Sequence, residues 1–349
     1  MKRGELSGFK FNSSHDQTLT QKYSKQLELS NKPIKSQVNP LFDEVKKIFP
    51  NAWKRWDSSE DQQLIANWMH SNLKVISETH MRTKGAIASR LKKFGLVPIH
   101  YTESQIDELI NKFRNSNPQI LNFFKGREIR SLFHFTHIDN LSTILKHGLL
   151  GPKTLKDLQI PFINTDQYRI DSIENGLSMS VSEPNRFMLS KKIKNSQLGA
   201  ELVLLEIDPK YLSSLSFLAF PTNAASRKIR EYKSLNSRKF NEASDLELLF
   251  NNSEIRNRFN LAKNIPTDPQ SEIMVLEDYP ALSIKKIHFQ ISNNQDTVEK
   301  IRNLLKEILS FNTILVEQKS KYFDNVWHDY NRIQIEWDER QWNQTWEKG

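Results

Sequence analysis

From residue 132 onward this chain is a succession of short apolar runs with no regular helix spaced between them, and that pattern limits the fold more than any other feature. Leu132, Phe133 and Phe135 alternate around His134 and Thr136, and Leu177, Met179 and Val181 alternate with Ser178, Ser180 and Ser182. Residues 201–208 form a more continuous apolar run stopped by Pro209, and further runs follow at 218–220, 271–276, 284–291 and 314–316. A period of two places neighbouring side chains on opposite faces of a sheet. Helical spacing appears only at intervals, as at 245–250 and 297–309. Strands with irregularly interspersed helices predict an α+β body rather than a doubly wound parallel sheet.

The first run leads into the most informative stretch. After the strand, Asp139 is placed to cap a helix carrying Leu141, Ile144 and Leu145, and Gly148 is placed to stop it. His134 and Thr136 therefore sit near a strand end just before a helix start, an edge that can hold a small polar ligand. Further on, residues 166–171 combine Tyr168 and Arg169 in a polar loop. Residues 218–226 run from a strand into a turn and a helix, with Asn223 placed either to cap that helix or to meet a ligand. Glu272 opens a strand after a proline-held approach over 263–270.

The amino-terminal part differs in charge. Residues 1–100 hold 17 Lys and Arg against 9 Asp and Glu, whereas the other 249 residues hold 33 against 32. A basic module ahead of a nearly neutral one favours a polyanionic partner. Residues 1–40 are polar and weakly periodic and read as a flexible segment, and 41–49 have helical spacing. Asp57 and Glu60 form a capping-box signature ahead of Leu64, Ile65, Trp68 and Met69. A short second helix around Val75 and Ile76 and a third from Thr83 to Gly95 complete a helix-turn-helix pattern. Trp56, Glu60, Asp61, Arg82, Thr83, Gly85, Ala86, Ile87, Ser89, Arg90 and Leu91 resemble the Myb-like pattern. That resemblance implies DNA contact through the third helix, with Arg82, Lys84, Arg90 and Lys93 as the expected contacts. Residues 101–130 read as a helical connector that either neighbour could own.

Other classes are disfavoured. The chain has no cysteine, which removes disulfides and thiolate metal sites and suggests a reducing, cytoplasmic setting. The first residues lack the apolar core of a signal peptide, and no apolar run is long enough to span a bilayer. Neither the Gly-x-Gly-x-x-Gly nor the Gly-x-x-x-x-Gly-Lys phosphate loop is present, nor is a compact metal-binding motif.

Five ordered blocks carry a second resemblance. They are the His134-Phe135-Thr136-His137-Ile138-Asp139-Asn140-Leu141 string, Arg169 in its loop, the 177–185 strand ending in Pro184-Asn185, the 220–226 segment with Thr222-Asn223-Ala224-Ala225-Ser226, and Thr267-Asp268-Pro269-Gln270-Ser271-Glu272. Together they resemble the DarT family of DNA ADP-ribosyltransferases over about 131–316, with Ser271 where the family pattern has Ala. The resemblance implies a split β-sandwich with helices, preceded here by a small three-helix domain. It implies NAD as ADP-ribose donor, no metal, single-stranded DNA as acceptor, a macrodomain antitoxin of the DarG kind, and a role as a toxin or in phage defence.

It also assigns residues. Glu272 is the expected catalytic carboxylate, aimed at the ribose where positive charge develops. His134, Phe135, Thr136 and Asn140 are expected to hold NAD. Arg169 is expected to hold NAD phosphate and to assist catalysis, and Asn223 and Ser226 to face the acceptor base. The expected organisation is 1–40 flexible, 41–100 Myb-like, 101–130 connector, 131–322 transferase and 323–349 a tryptophan-rich tail. Two other readings fit the same residues: a nucleic-acid-binding regulator without turnover, and a related transferase acting on RNA or protein.

Overall fold

A computed structural model describes residues 40–165, 173–195, 201–226, 242–290, 294–308, 314–317 and 322–323. The polar segment before Pro40, the loop with Arg169 and the tryptophan-rich tail beyond residue 323 lie outside the described residues. The chain divides into two compact units, 1–50 and 51–349. The described part of the first is helix α1 (Pro40–Ile48), with Asp43 in its first turn and Lys46 and Lys47 in its last, the arrangement that suits the helix dipole.

The second unit begins with helices α2 (Ser58–Asn67), α3 (Leu73–His80), α4 (Lys84–Lys93) and α5 (Glu103–Arg114). Each start is capped by a side-chain oxygen: Asp57 accepts from Glu60 N, Asn72 from Val75 N, Thr83 from Ala86 N and Thr102 from Gln105 N. The expected box at Asp57 is only half formed, because the Glu60 carboxylate turns to Arg82 instead. Leu64, Trp68, Leu73, Ile76, Ile87, Leu91 and Phe94 close a core with Ile106, Leu109 and Ile110 of α5. Helix α6 (Pro118–Gly126) buries Ile120, Phe123 and Phe124 in the strand-rich body instead. The connector is therefore divided between its neighbours, α5 to the helical module and α6 to the body.

The body is built on β1 (Leu132–His137), β2 (Leu177–Val181), β3 (Leu202–Ile207), β4 (Phe217–Phe220), β5 (Glu272–Val275), β6 (Ile284–His288) and β7 (Leu315–Glu317). They form one sheet in the order β4-β5-β2-β1-β3-β6-β7, antiparallel except for the β6–β7 pair. One face is aliphatic. Leu132, Leu177, Met179, Val181, Val203, Leu205, Ile273, Val275 and Ile287 pack there with α6, α7 (Leu141–His147) and α12 (Gln295–Ile308). Each fully buried aliphatic side chain of this kind contributes about 1.5–3 kcal/mol. Short helices α8 (Pro152–Asp157), α9 (Arg186–Asn195), α10 (Ala243–Glu247) and α11 (Ser253–Arg258) fill the connections.

The other face is polar along its centre. Register pairing places Phe220, Glu272, Ser180, Phe133, Glu206 and Lys286 in one row across the sheet. Strand β1 pairs with β3 along all of its residues but with β2 only at Leu132↔Val181 and Phe133↔Ser180. The described strands thus form a single sheet that opens into a fork at β1 and β2. The helix cap also differs from expectation. Asp139 lies inside a 3-10 turn (Ile138–Asn140), and the His137 ring nitrogen caps that turn by accepting from Asp139 N.

The helical module meets the body along a polar and aromatic seam. Lys112 of α5 pairs with Glu277 at 2.5 Å. His100 and His147 stack with centroids 5.6 Å apart and Nδ1 atoms 3.3 Å apart. Burial, then the charges of His147 and Lys92, lowers His100 from 6.5 to about 4, and burial with Lys146 lowers His147. One neutral ring must donate to the other, an arrangement that double protonation destroys. A depressed folded pKa means stability present above pH 6.5 and lost as pH falls toward 4. Urea titrations across that interval are expected to show a loss of about 1–2 kcal/mol after screening, and His147→Asn is expected to flatten it.

Candidate active site

The fork between β1 and β2 opens into a cleft of about 660 Å³, within the range of pockets that enclose small ligands. Its floor comes from β1, β2 and the start of β5, and its sides from Asn140 and Leu149, from 162–165, from α9 and from the 222–226 turn. Glu272 and His134 both line it. They come from strands far apart in the chain, and Ser178 of β2 touches both. The Ser178 hydroxyl donates to Glu272 Oε2. The Ser178 carbonyl accepts from His134 Nδ1 at 2.9 Å. A carbonyl can only accept, so the proton of the neutral ring is on Nδ1 and Nε2 is an acceptor.

Glu272 is buried, with 9% of its surface exposed. Its Oε1 accepts from the backbone N–H of Ala224, so its two oxygens are held by two different segments. The 222–226 turn is itself braced: Asn223 Oδ1 accepts from Ala225 N at 2.8 Å, and Ser226 N donates to the Asn223 carbonyl at 2.9 Å. Asn223 thus braces the turn that grips Glu272 while lining the cleft, and Ser226 lines it as well. The carboxylate is fixed before any ligand arrives, which is the form electrostatic catalysis requires.

The other expected ligand contacts divide by role. Phe135 and Thr136 line the cleft. Asn140 lines it too, but its amide is committed. It donates to Thr136 Oγ1 at 3.0 Å and to the Ile163 carbonyl at 2.9 Å, and accepts from Ile163 N at 2.8 Å. These bonds clamp the cleft wall against β1. Arg169 lies outside the described residues.

Two lysines on α9 went unassigned in the sequence. Lys191 is exposed and lines the cleft. Lys192 donates to the Thr165 carbonyl, and its Nζ lies 5.6 Å from the Phe135 ring centroid. They bring positive charge to a cleft otherwise marked by Glu272, and their only sequence signal was a run of basic residues after the Pro-Asn turn.

The expected DNA contacts fare unevenly. Arg82 is 2% exposed. Its guanidinium binds both oxygens of Glu60 and the carbonyls of Asn51, Lys54 and Arg55, and lies over the Trp56 ring. Arg90 is paired through two nitrogens with Asp61. Both guanidiniums are engaged inside the module, and Arg82 is too buried to meet DNA as expected. Lys84 and Lys93 are exposed on α4.

Ser178→Ala removes the hydroxyl that holds Glu272 and leaves the backbone contact to His134 in place. Because Ser178 is exposed within the cleft, the fold is expected to survive. Steady-state assays of the activity proposed below are expected to show kcat falling about tenfold, with KM changed far less.

Among the described residues no cluster of three or more His, Asp or Glu could hold a metal ion, and no helix is long and apolar enough to cross a membrane. No curated protein matches the chain by sequence. Similar solved structures include Thermosipho africanus DarTG in complex with ADP-ribose, at 18% identity and TM-score 0.36, covering 56% of this chain and 51% of that one. Thermus sp. 2.9 DarT in complex with ADP-ribosylated ssDNA matches at 16% identity and TM-score 0.38, covering 56% and 97%. The same protein in complex with NAD+ matches at 16% identity and TM-score 0.36, covering 56% and 98%. This chain thus spans about half the length of the Thermosipho protein. Residues 133–323, more than half of the sequence, match the family described as "ssDNA thymidine ADP-ribosyltransferase, DarT", and the chain belongs to that family of NAD-using ADP-ribosyltransferases.

Proposed function

We propose that this protein transfers ADP-ribose from NAD to a thymine base in single-stranded DNA. One observation carries the reading: Glu272 and His134 face one cleft, with Ser178 in contact with both. His134 and Thr136 orient the nicotinamide end of NAD, and Lys191, Lys192 and Arg169 take its diphosphate. The bond between the ribose C1′ and the nicotinamide nitrogen breaks, and nicotinamide leaves with the bonding pair as a neutral ring. Glu272 stabilises the positive charge that develops on the sugar. The thymine ring nitrogen forms the new bond to C1′ and gives up its proton to solvent water. Arg169 supports that nitrogen, and Asn223 and Ser226 face the base.

A base blocked at its pairing edge cannot template synthesis, so such an activity is harmful unless it is opposed. The protein therefore acts as a toxin or in phage defence, within the cytoplasm where NAD and DNA meet. Its antitoxin is a macrodomain that removes the modification. Lys84 and Lys93 of the helical module add a basic surface that helps retain nucleic acid.

The test is transfer from NAD labelled in its adenylate half to a mixed-sequence single-stranded oligonucleotide, with mass spectrometry locating the adduct. Label on thymine is expected. Label only on RNA or protein, or on none of the three, overturns the reading.

A further inference from the structure

Asn185 ends the turn after β2 and immediately precedes helix α9. It is 7% exposed and lines the cleft. Two bonds fix its place. Its backbone N–H donates to Ser180 Oγ at 3.0 Å, and its Oδ1 caps α9 by accepting from Met188 N at 3.0 Å. Only the oxygen of a side-chain amide accepts, so the capping bond decides which way round the amide lies. Nδ2 is left with no acceptor among the described residues, and it is not sealed from solvent. A donor on a side chain this deeply buried costs free energy unless something meets it.

The sheet order indicates what that is. Across the strands run Phe220 of β4, Glu272 of β5, Ser180 of β2 and Phe133 of β1. The 222–226 turn follows β4 and grips Glu272 from that side. Ser180, which holds Asn185, lies on the other side, next to the strand that carries His134. Asn185 thus stands towards the nicotinamide end of the proposed NAD site and away from the turn assigned to the acceptor base. A phosphate does not suit this place, because the Glu272 carboxylate is one strand away. The cations of the cleft, Lys191 and Lys192, begin six residues further along α9, about 9 Å on. On the nicotinamide ring the group that accepts a hydrogen bond is the carboxamide oxygen.

We propose that Asn185 binds NAD by donating from Nδ2 to the carboxamide oxygen of its nicotinamide. The proposal rests on the placement of NAD given under the proposed function. The oxygen of neutral nicotinamide is a better acceptor than that of the pyridinium, so the contact strengthens as the ring departs.

The test titrates the full chain, without DNA, with three ligands. They are NAD, ADP-ribose, which lacks nicotinamide, and thionicotinamide adenine dinucleotide, whose sulfur accepts weakly. Asn185→Ser keeps a capping oxygen and removes the amide, so it should melt as wild type does. It is expected to bind NAD about tenfold more weakly than wild type, and ADP-ribose equally well. Wild type is expected to prefer NAD to the thio analogue about tenfold, and the variant to bind the two alike. That preference is measured within each protein, so a change in stability cannot produce it. A variant that keeps the wild-type preference overturns the proposal. So does one that loses NAD and ADP-ribose in the same proportion, which makes Asn185 a support of the cleft or a partner of the phosphates. Unchanged NAD binding with weaker labelling of DNA also overturns it and places Nδ2 on the acceptor base. Each of these leaves the proposed function standing. That function falls, and this proposal with it, if wild type binds no NAD and labels no single-stranded DNA.

Discussion

Glu272→Gln is expected to lower kcat for transfer about 10²- to 10³-fold while leaving the dissociation constant for NAD within about threefold. Glutamine keeps an oxygen for the Ala224 N–H, and the Ser178 hydroxyl can rotate to accept from the new amide. Both of these partners therefore remain satisfied, and the fold should not change. What is lost is one negative charge at the place where, in the proposed reaction, the ribose becomes cationic. A charge that acts on the transition state appears in kcat, whereas one that only holds the ground state appears in KM. Glu272→Asp should fall as far by another route, since a shorter side chain cannot keep both Ser178 and Ala224. Isothermal titration with NAD and single-turnover release of nicotinamide separate the two effects. A glutamine variant that retains more than a tenth of wild-type kcat would remove Glu272 from the chemistry.

How much of this site could be read from residue order depends on the kind of signal each residue carried. His134, Thr136 and Glu272 stood out through local strings at strand ends, and the structure sets all three in one cleft. Ser178 carried no such mark. It looked like one polar member of an alternating strand, and its value comes from a β2–β5 register between segments that lie far apart in the chain. Arg82 and Arg90 failed in the opposite direction. A basic side chain on or just before a short helix looks solvent-facing unless its partner is known, and Glu60 and Asp61 lie on a different helix. Two adjacent acids opposite two arginines could have suggested internal pairing. Local periodicity did better with the fold. The strand runs and cap residues were legible because they follow from period and side-chain chemistry. The fork was not, because it depends on where β1 stops pairing with β2.

Trp68→Ala is expected to destabilise the whole 51–349 unit, and not the helical module alone, by about 3–5 kcal/mol. Trp68 is 1% exposed at the centre of the module core. Its ring meets Phe113 of α5 edge-on at 5.9 Å, Phe113 meets Tyr211 at 5.5 Å, and Tyr211 meets Tyr279 at 6.3 Å. Tyr279 is fully buried, with its hydroxyl on the Asp208 carbonyl at 3.0 Å, and its backbone exchanges hydrogen bonds with Leu149, a residue of the cleft wall. The void left by the indole therefore opens at one end of a packed aromatic series whose other end supports the proposed NAD site. Interiors packed this closely relax only in part, so the cost is shared along the series rather than confined to one helix. Calorimetry is expected to show a single transition, lowered for module and body together, with added NAD raising its midpoint. Two separated transitions, with NAD shifting only the upper one, would show that the module folds on its own and that the seam transmits nothing. A single lowered transition means that no boundary at residue 100 divides the folding unit, and that the helices preceding β1 are part of what holds the candidate cleft in shape.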